Sequence, residues 1–370
     1  MPSHETSKLH GLDHLRAFAI SYVFLFHYFI LSKGEPPWLP DFARFGWTGV
    51  DLFFVLSGFL ISSQLFLQIK KGELISFKLF FLKRFFRIVP AFLFTLLLYF
   101  SFPLFREKES LAPLWKYLSF TQNFGLDLKN NGTFSHAWSL CVEEHFYLVL
   151  PLLLIFLQKF HRIYKSYWIL IGLFVLGFIF RSYSYQNLYI PHIEKADSWM
   201  YWYKYIYYPS YNRLDGLIIG VGIAALYQFL PTYWNRLASF GNLFIVMGIL
   251  LLIAAYYVCV NQQSFLASTV GFPLVSLGYG LIVMGAVSSS SFLYQWKSNI
   301  TSFLAGISYA LYLVHKGIIH LTHVYLAEYS INNNYLLILS AITCVLAAYL
   351  IHISIEKPFM RLRLILQTKK

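Results

Sequence analysis

The chain has 370 residues, 58% hydrophobic, 20% aromatic and 12% charged, with a formal net charge of +13 and a mean hydropathy of +0.58. A soluble globule carries about a quarter charged residues, so composition excludes that class and indicates an integral membrane protein. The basic residues sit in short loops between apolar runs, as membrane orientation requires, and no nucleic-acid motif accompanies them.

Runs long enough to cross about 30 Å of hydrocarbon occupy 12–32, 47–69, 87–105, 138–158, 166–183, 211–230, 241–260, 267–287, 302–326 and 335–355. They predict an all-α polytopic bundle of about ten transmembrane helices, forming one integral-membrane domain over 1–370 that ends in a short basic tail. The first dozen residues are polar and lead into a span holding Asp13 and Arg16, a poor signal peptide, so the first span is expected to be retained. Trp199-Met200-Tyr201-Trp202-Tyr203 reads as an interfacial aromatic belt before the sixth span.

In this arrangement one side collects seventeen basic residues: Lys8, Lys70, Lys71, Lys78, Lys83, Arg84, Arg87, Lys159, Arg162, Lys165, Arg236, Lys297, Lys357, Arg361, Arg363, Lys369 and Lys370. The other side holds nine, Lys33, Arg44, Arg106, Lys108, Lys116, Lys129, Arg181, Lys195 and Lys204, while Arg16, Arg213 and Lys316 fall inside spans. The positive-inside rule then puts both termini in the cytoplasm. Cys141, Cys259 and Cys344 lie inside apolar runs, which suggests neither a disulfide framework nor a metal site. Two long outer loops, around 106–137 and 184–210, carry the Asn, Gly, Ser, Tyr and Trp that suit carbohydrate and equally suit an interfacial lid.

Ionisable residues within spans are functional candidates because hydrocarbon penalises them. In the first span Arg16, Ile20, Val23 and His27 share one helix face, with Arg16 and His27 roughly 16 Å apart along the axis. Arg16 could also snorkel toward headgroups, and His27 could be a hydrogen-bonded packing residue. By depth, His27, Asp51, Glu143, Glu144, Arg213 and Asp215 fall in the outer half of their spans. Ser308, Tyr312 and His315 share a face of the ninth. Together they predict one outer polar pocket. At the opposite surface Arg84 and Arg87, i and i+3 if helical, make a basic fork suited to phosphate, though a basic cluster before a span is also an ordinary orientation signal. A neutral His27 in such a pocket could take the proton of an attacking hydroxyl, with Glu143 or Asp51 orienting its other nitrogen, and Arg16 could bind a donor or stabilise an oxyanion.

The ordered set of motifs also resembles the acyltransferase-3 family of multi-span membrane acyltransferases. It comprises Leu12 to His27 with its R-x10-H spacing, Gly49 to Ile61, the RxxR of Arg84 to Pro90, Trp138-Ser139-Leu140-Cys141-Val142-Glu143-Glu144-His145-Phe146-Tyr147, Arg213-Leu214-Asp215, Ser308 to His315, and Glu356-Lys357-Pro358-Phe359. The resemblance implies transfer of an acyl group, usually acetyl from acetyl-CoA as co-substrate with no permanently bound cofactor, to a sugar hydroxyl at the membrane of a bacterial cell. It maps the family's histidine and arginine onto His27 and Arg16 and its donor-binding arginines onto Arg84 and Arg87. Trp138, Ser139, Arg213, Asp215, Ser308, Tyr312 and His315 are then acceptor or pocket residues, with no metal. The chain departs from the pattern at His14, Cys141, His145 and Lys316. A transporter using the buried charges as a proton or substrate path is the alternative class, but no repeated pair of broken helices is seen.

Overall fold

The computed structural model describes residues 9–32, 34–160 and 167–368. Lys8, Lys33, Arg162, Lys165, Lys369 and Lys370 of the charge inventory, and residue 166 at the start of the fifth expected span, lie outside the described residues. Among the described residues every regular element is helical, and each expected span coincides with a helix. These are α1 His10–Leu31, α2 Gly49–Lys70, α3 Phe77–Ser101, α4 Trp138–Lys159, α5 Tyr167–Tyr183, α6 Asp215–Phe229, α7 Gly241–Val258, α8 Phe272–Ala286, α9 Asn299–Leu326 and α10 Asn333–Ile351. A π-helical segment, His352–Glu356, joins α10 to a terminal helix, α11 Lys357–Thr368. Among the described residues eight helical stretches are long and apolar enough to cross a membrane. The two span helices outside that set are α6, with 15 residues, and α3, which begins ten residues before the apolar run and so takes Lys78, Lys83, Arg84 and Arg87 into its first half.

α2 sits at the centre, touching α1, α4, α6 and α8, while α1 also packs on α9, and α9 on α10. In a bilayer, association depends on close packing more than on apolar burial, which favours small residues where backbones meet. The α2–α6 contact is built this way: a Cβ on Gly58 would strike the backbone of Leu217, and one on Gly220 the backbone of Val55 and Gly58.

The connection from α3 to α4 is the longest, with a short helix Leu114–Leu118 and a 3₁₀ turn Ser135–Ala137 that feeds α4. The connection from α5 to α6 holds the short helix Ser198–Trp202 and a π turn Tyr203–Tyr207. Here the belt expectation is corrected in part. Trp199 is exposed, but Trp202 is buried with Tyr207 and Tyr208. Trp202 donates from Nε1 to Ser268 Oγ at 2.9 Å, and Tyr207 joins Phe272 and Trp138 around a buried guanidinium, that of Arg213, at 4.4, 4.2 and 5.1 Å.

Candidate active site

Five helices enclose a cavity of about 240 Å³. α1 contributes Arg16, α2 Ser57 and Gln64, α3 Arg84 and Arg87, α4 Ser139, Glu143, Glu144 and Tyr147, and α9 Ser308, Tyr309 and Tyr312. The basic end is the mouth, where Arg87 is exposed and Arg16 and Arg84 are half-buried. Arg84 and Arg87 are one turn apart because α3 is helical through them. The Arg84 guanidinium lies over the Tyr147 ring at 5.2 Å. Among the described residues none of the three arginines makes a direct ion pair, although the carboxylates Glu143 and Glu144 line the same cavity. Glu143 is engaged otherwise, accepting a 2.5 Å hydrogen bond from Ser57.

At the far end the Tyr312 hydroxyl donates to the His136 carbonyl at 2.7 Å and therefore accepts from Ser139 Oγ at 2.6 Å. Behind Tyr312 stand three imidazoles. The ring of His315 is 4.8 Å from that of His27 and 4.9 Å from that of His136. Their protons can be placed by elimination. His315 Nδ1 faces two carbonyls, of Tyr312 at 2.8 Å and Leu311 at 3.2 Å, and carbonyls only accept, so Nδ1 carries the hydrogen. In the neutral ring Nε2 is then an acceptor, and the 2.8 Å contact to His27 Nδ1 is donated by His27. That fixes the tautomer of His27 and leaves its Nε2 with the free lone pair. Among the described residues no group of three or more His, Cys, Asp or Glu is placed to hold a metal ion.

The connection 102–137 roofs this cluster. Lys316 on α9 pairs with Glu107 at 2.9 Å and donates to Ser135 Oγ at 3.2 Å, while Glu107 also accepts from the amide of Phe134 at 3.0 Å. Phe134 has a left-handed backbone, φ 56°, at the turn that brings His136 beside His315 and His27. Partial burial, with the Lys316 charge nearby, lowers the neighbouring Lys108 ammonium below the ordinary lysine range.

The structure thus brings Arg16, Arg84, Arg87, Glu143, Ser139, Ser308 and Tyr312 to one cavity, with His27 and His315 behind Tyr312. It does not bring Asp51, Arg213, Asp215 or Trp138 there. Asp51 pairs with Arg213 at 2.7 Å and Asp215 with Arg181 at 2.6 Å, both pairs buried, with Trp138 against Arg213. Neither Asp51 nor Glu143 is the hydrogen-bond partner of His27 Nδ1, because Asp51 turns to the nearer guanidinium and Glu143 sits in the arginine cavity. His136, Glu107 and Arg181 were not singled out from sequence. The only available signal was their chemistry: a histidine two residues before the Trp138 motif, a glutamate in the connection after α3 and an arginine in the last turn of α5. None of the four departures, His14, Cys141, His145 and Lys316, lines the cavity. His14, for example, is held by Thr301 at 2.7 Å and the Trp296 carbonyl at 2.9 Å.

Comparison with known proteins points the same way. The chain is similar to O-acetyltransferase OatA of Staphylococcus aureus (strain NCTC 8325 / PS 47), 26% identical over 95% of this chain and 57% of the relative. It is also similar to a putative O-acetyltransferase of Staphylococcus aureus (strain COL), 28% identical with the same coverage of each. The chain therefore spans a little over half the length of these curated relatives. No solved structure matches. An acyltransferase domain, the acyltransferase-3 model, matches residues 9–353, nearly the whole of the bundle and every residue of the cavity, and on that match this integral membrane protein belongs to the acyltransferase-3 family.

Proposed function

We propose that the protein is a membrane-embedded O-acyltransferase that moves an acyl group, acetyl in the first instance, from cytoplasmic acyl-CoA to a hydroxyl of a membrane-associated or cell-surface carbohydrate. What carries this reading is the combination of an arginine mouth without an ion pair among the described residues and, behind Tyr312 at the other end of the cavity, an imidazole whose tautomer is fixed. The similar proteins, one an O-acetyltransferase and one a putative O-acetyltransferase, agree with it. A thioester donor needs cations for its phosphates and depth for its arm. Arg16, Arg84 and Arg87 supply the first, and the roughly 16 Å between Arg16 and His27 on α1 matches an extended pantetheine arm. His27 Nε2 takes the proton of the acceptor hydroxyl as its oxygen attacks the thioester carbonyl. The C–S bond then breaks, and His27 returns the proton to the departing thiolate. Such a base contributes about 10²–10⁴-fold in rate. His315 is the orienting partner of His27.

In the bilayer this reading takes all ten long helices as spans, with both termini and the arginine mouth on the cytoplasmic side of a bacterial inner membrane and the whole chain acting as one domain. Reporter fusions placing residue 370 outside the cytoplasm would overturn that topology. The function is tested by supplying acetyl-CoA to purified protein and measuring hydrolysis and transfer. A transporter shows neither, and wild-type turnover by a folded His27→Gln protein removes His27 from the chemistry. Mass spectrometry of glycans from cells with and without the gene identifies the acceptor.

A further inference from the structure

A second cavity, of about 1000 Å³, is formed by the last turns of α2 and α6, the short helix Pro231–Leu237 and the connection from α8 to α9. It adjoins the arginine cavity, because Leu60 and Gln64 line both. α2 provides one unbroken wall: Phe53, Ser57, Leu60 and Gln64 line the first cavity, and Leu60, Gln64 and Leu67 the second. Steps of four, three, four and three residues keep all five on one helix face over about 21 Å. A ligand that used both spaces would be long and segmented, and the lining changes chemistry along that length. Hydroxyls of Ser139 and Tyr312 stand at one end, the arginines between, and at the wide end are Tyr227, Trp234 and Tyr294 with the amides of Gln228 and Asn235. Trp234 is buried, edge-on to Tyr227 with ring centroids 5.1 Å apart, so an aromatic wall is already in place before any ligand enters.

We propose that the wide cavity receives the adenosine end of the donor. The purine stacks on the aromatic wall and its edge meets the amides, the phosphates reach back to Arg84 and Arg87, and the arm runs along α2 to Tyr312. This rests on the acyltransfer reading above, which requires the arginine cavity alone and says nothing of where a nucleotide would lie. Stacking of a base on an aromatic side chain is worth enough that its loss weakens binding by about tenfold or more.

The test uses the purified full chain with two fragments of the donor, adenosine 3′,5′-bisphosphate and pantetheine, each measured for direct binding and for competition with acetyl-CoA. Tyr294→Leu removes stacking surface, and Ser239→Trp fills the cavity from its exposed rim. Both are expected to weaken the nucleotide fragment about tenfold or more without a matching loss for pantetheine, so a folding defect, which weakens both, is told apart within one sample. Equal weakening of the two fragments in both variants, or wild-type protein that turns over acetyl-CoA yet does not bind the nucleotide fragment, overturns the proposal. Nucleotide binding that is lost in the variants, in a protein that turns over no acyl-CoA, keeps the cavity assignment and overturns the acyltransfer reading instead.

Discussion

Lys316→Met isolates the pair that ties the outer connection to α9. The Lys316 and Glu107 side chains are 5% and 0% exposed and 2.9 Å apart. Removing the cation leaves a carboxylate in a dry site to which the Phe134 amide, at 3.0 Å, still donates. Breaking a buried pair from one side costs about 3–5 kcal/mol, whereas replacing both members by neutral groups is often close to neutral. The retained amide bond sets the expectation at the lower end, about 3 kcal/mol. With unfolding entropy of about 2.1 cal/mol/K per residue, a chain this size loses about 4 °C in Tm. Cys141, Cys259 and Cys344 are all free and buried, so a thiol-reactive dye reports unfolding in detergent without added labels. Glu107→Gln added to Lys316→Met should recover more than half of the loss, because the amide oxygen still accepts from Phe134 and no charge is left alone. An unchanged Tm in Lys316→Met, or a double variant no better than the single one, refutes the assignment of the pair as the clamp.

Replacing Arg84 and Arg87 together by Ala should weaken acetyl-CoA binding, measured by titration, and Lys at both positions should restore it only in part, since the forked geometry is lost. Unchanged affinity would reduce the cluster to an orientation signal. His315→Phe removes the acceptor for His27 Nδ1 and should lower kcat by about ten- to a hundredfold with donor affinity held, while His315→Gln, whose amide oxygen can accept the same hydrogen, should recover part of it. Gly220→Val should lower thermal stability by about 1–3 kcal/mol or more, since its side chain meets the α2 backbone rather than a yielding side chain.

Helix positions were legible because a bilayer leaves so few options: apolar length and basic flanks place α1 or α9 without any knowledge of partners. The start of α3 was not. Hydropathy stops at Arg87, but backbone hydrogen bonding does not, so Lys78 to Arg87 are helical and the fork is one turn of α3. In the site, residues on a shared helix face, Arg16 with His27 and Ser308 with Tyr312 and His315, were found because a 3.6-residue period is local information. The partner of His27 was not, since it depends on which of several charged groups at similar depth a neighbouring helix presents. Asp51 has the right depth and the wrong azimuth, and faces Arg213. His136 and Glu107 escaped because they lie in a connection whose course is set by packing under Lys316, not by periodicity.

That arrangement also decides how the clamp affects the chemistry. If His27 is the base, positive charge gathers on it in the transition state, a few ångströms from His315, the neighbour of Lys316 in the chain. With Glu107 in place the ammonium is partly compensated at 2.9 Å. Glu107→Gln leaves the ammonium alone and opposes the developing imidazolium, whereas Lys316→Met leaves the carboxylate alone and favours it, since unit charges in a low-dielectric site act over several ångströms. A clamp that acted only by holding the connection in place would slow the two variants in proportion to the stability each loses, which their Tm values give. Compared on the folded fraction at saturating acceptor, Glu107→Gln should fall further in kcat than Lys316→Met, by about tenfold for each 1.4 kcal/mol of difference in barrier. Equal rates in the two would show that the pair positions His136 and its turn without reaching the proton transfer, and the reverse order would mean that the rate-limiting step does not place a positive charge on His27.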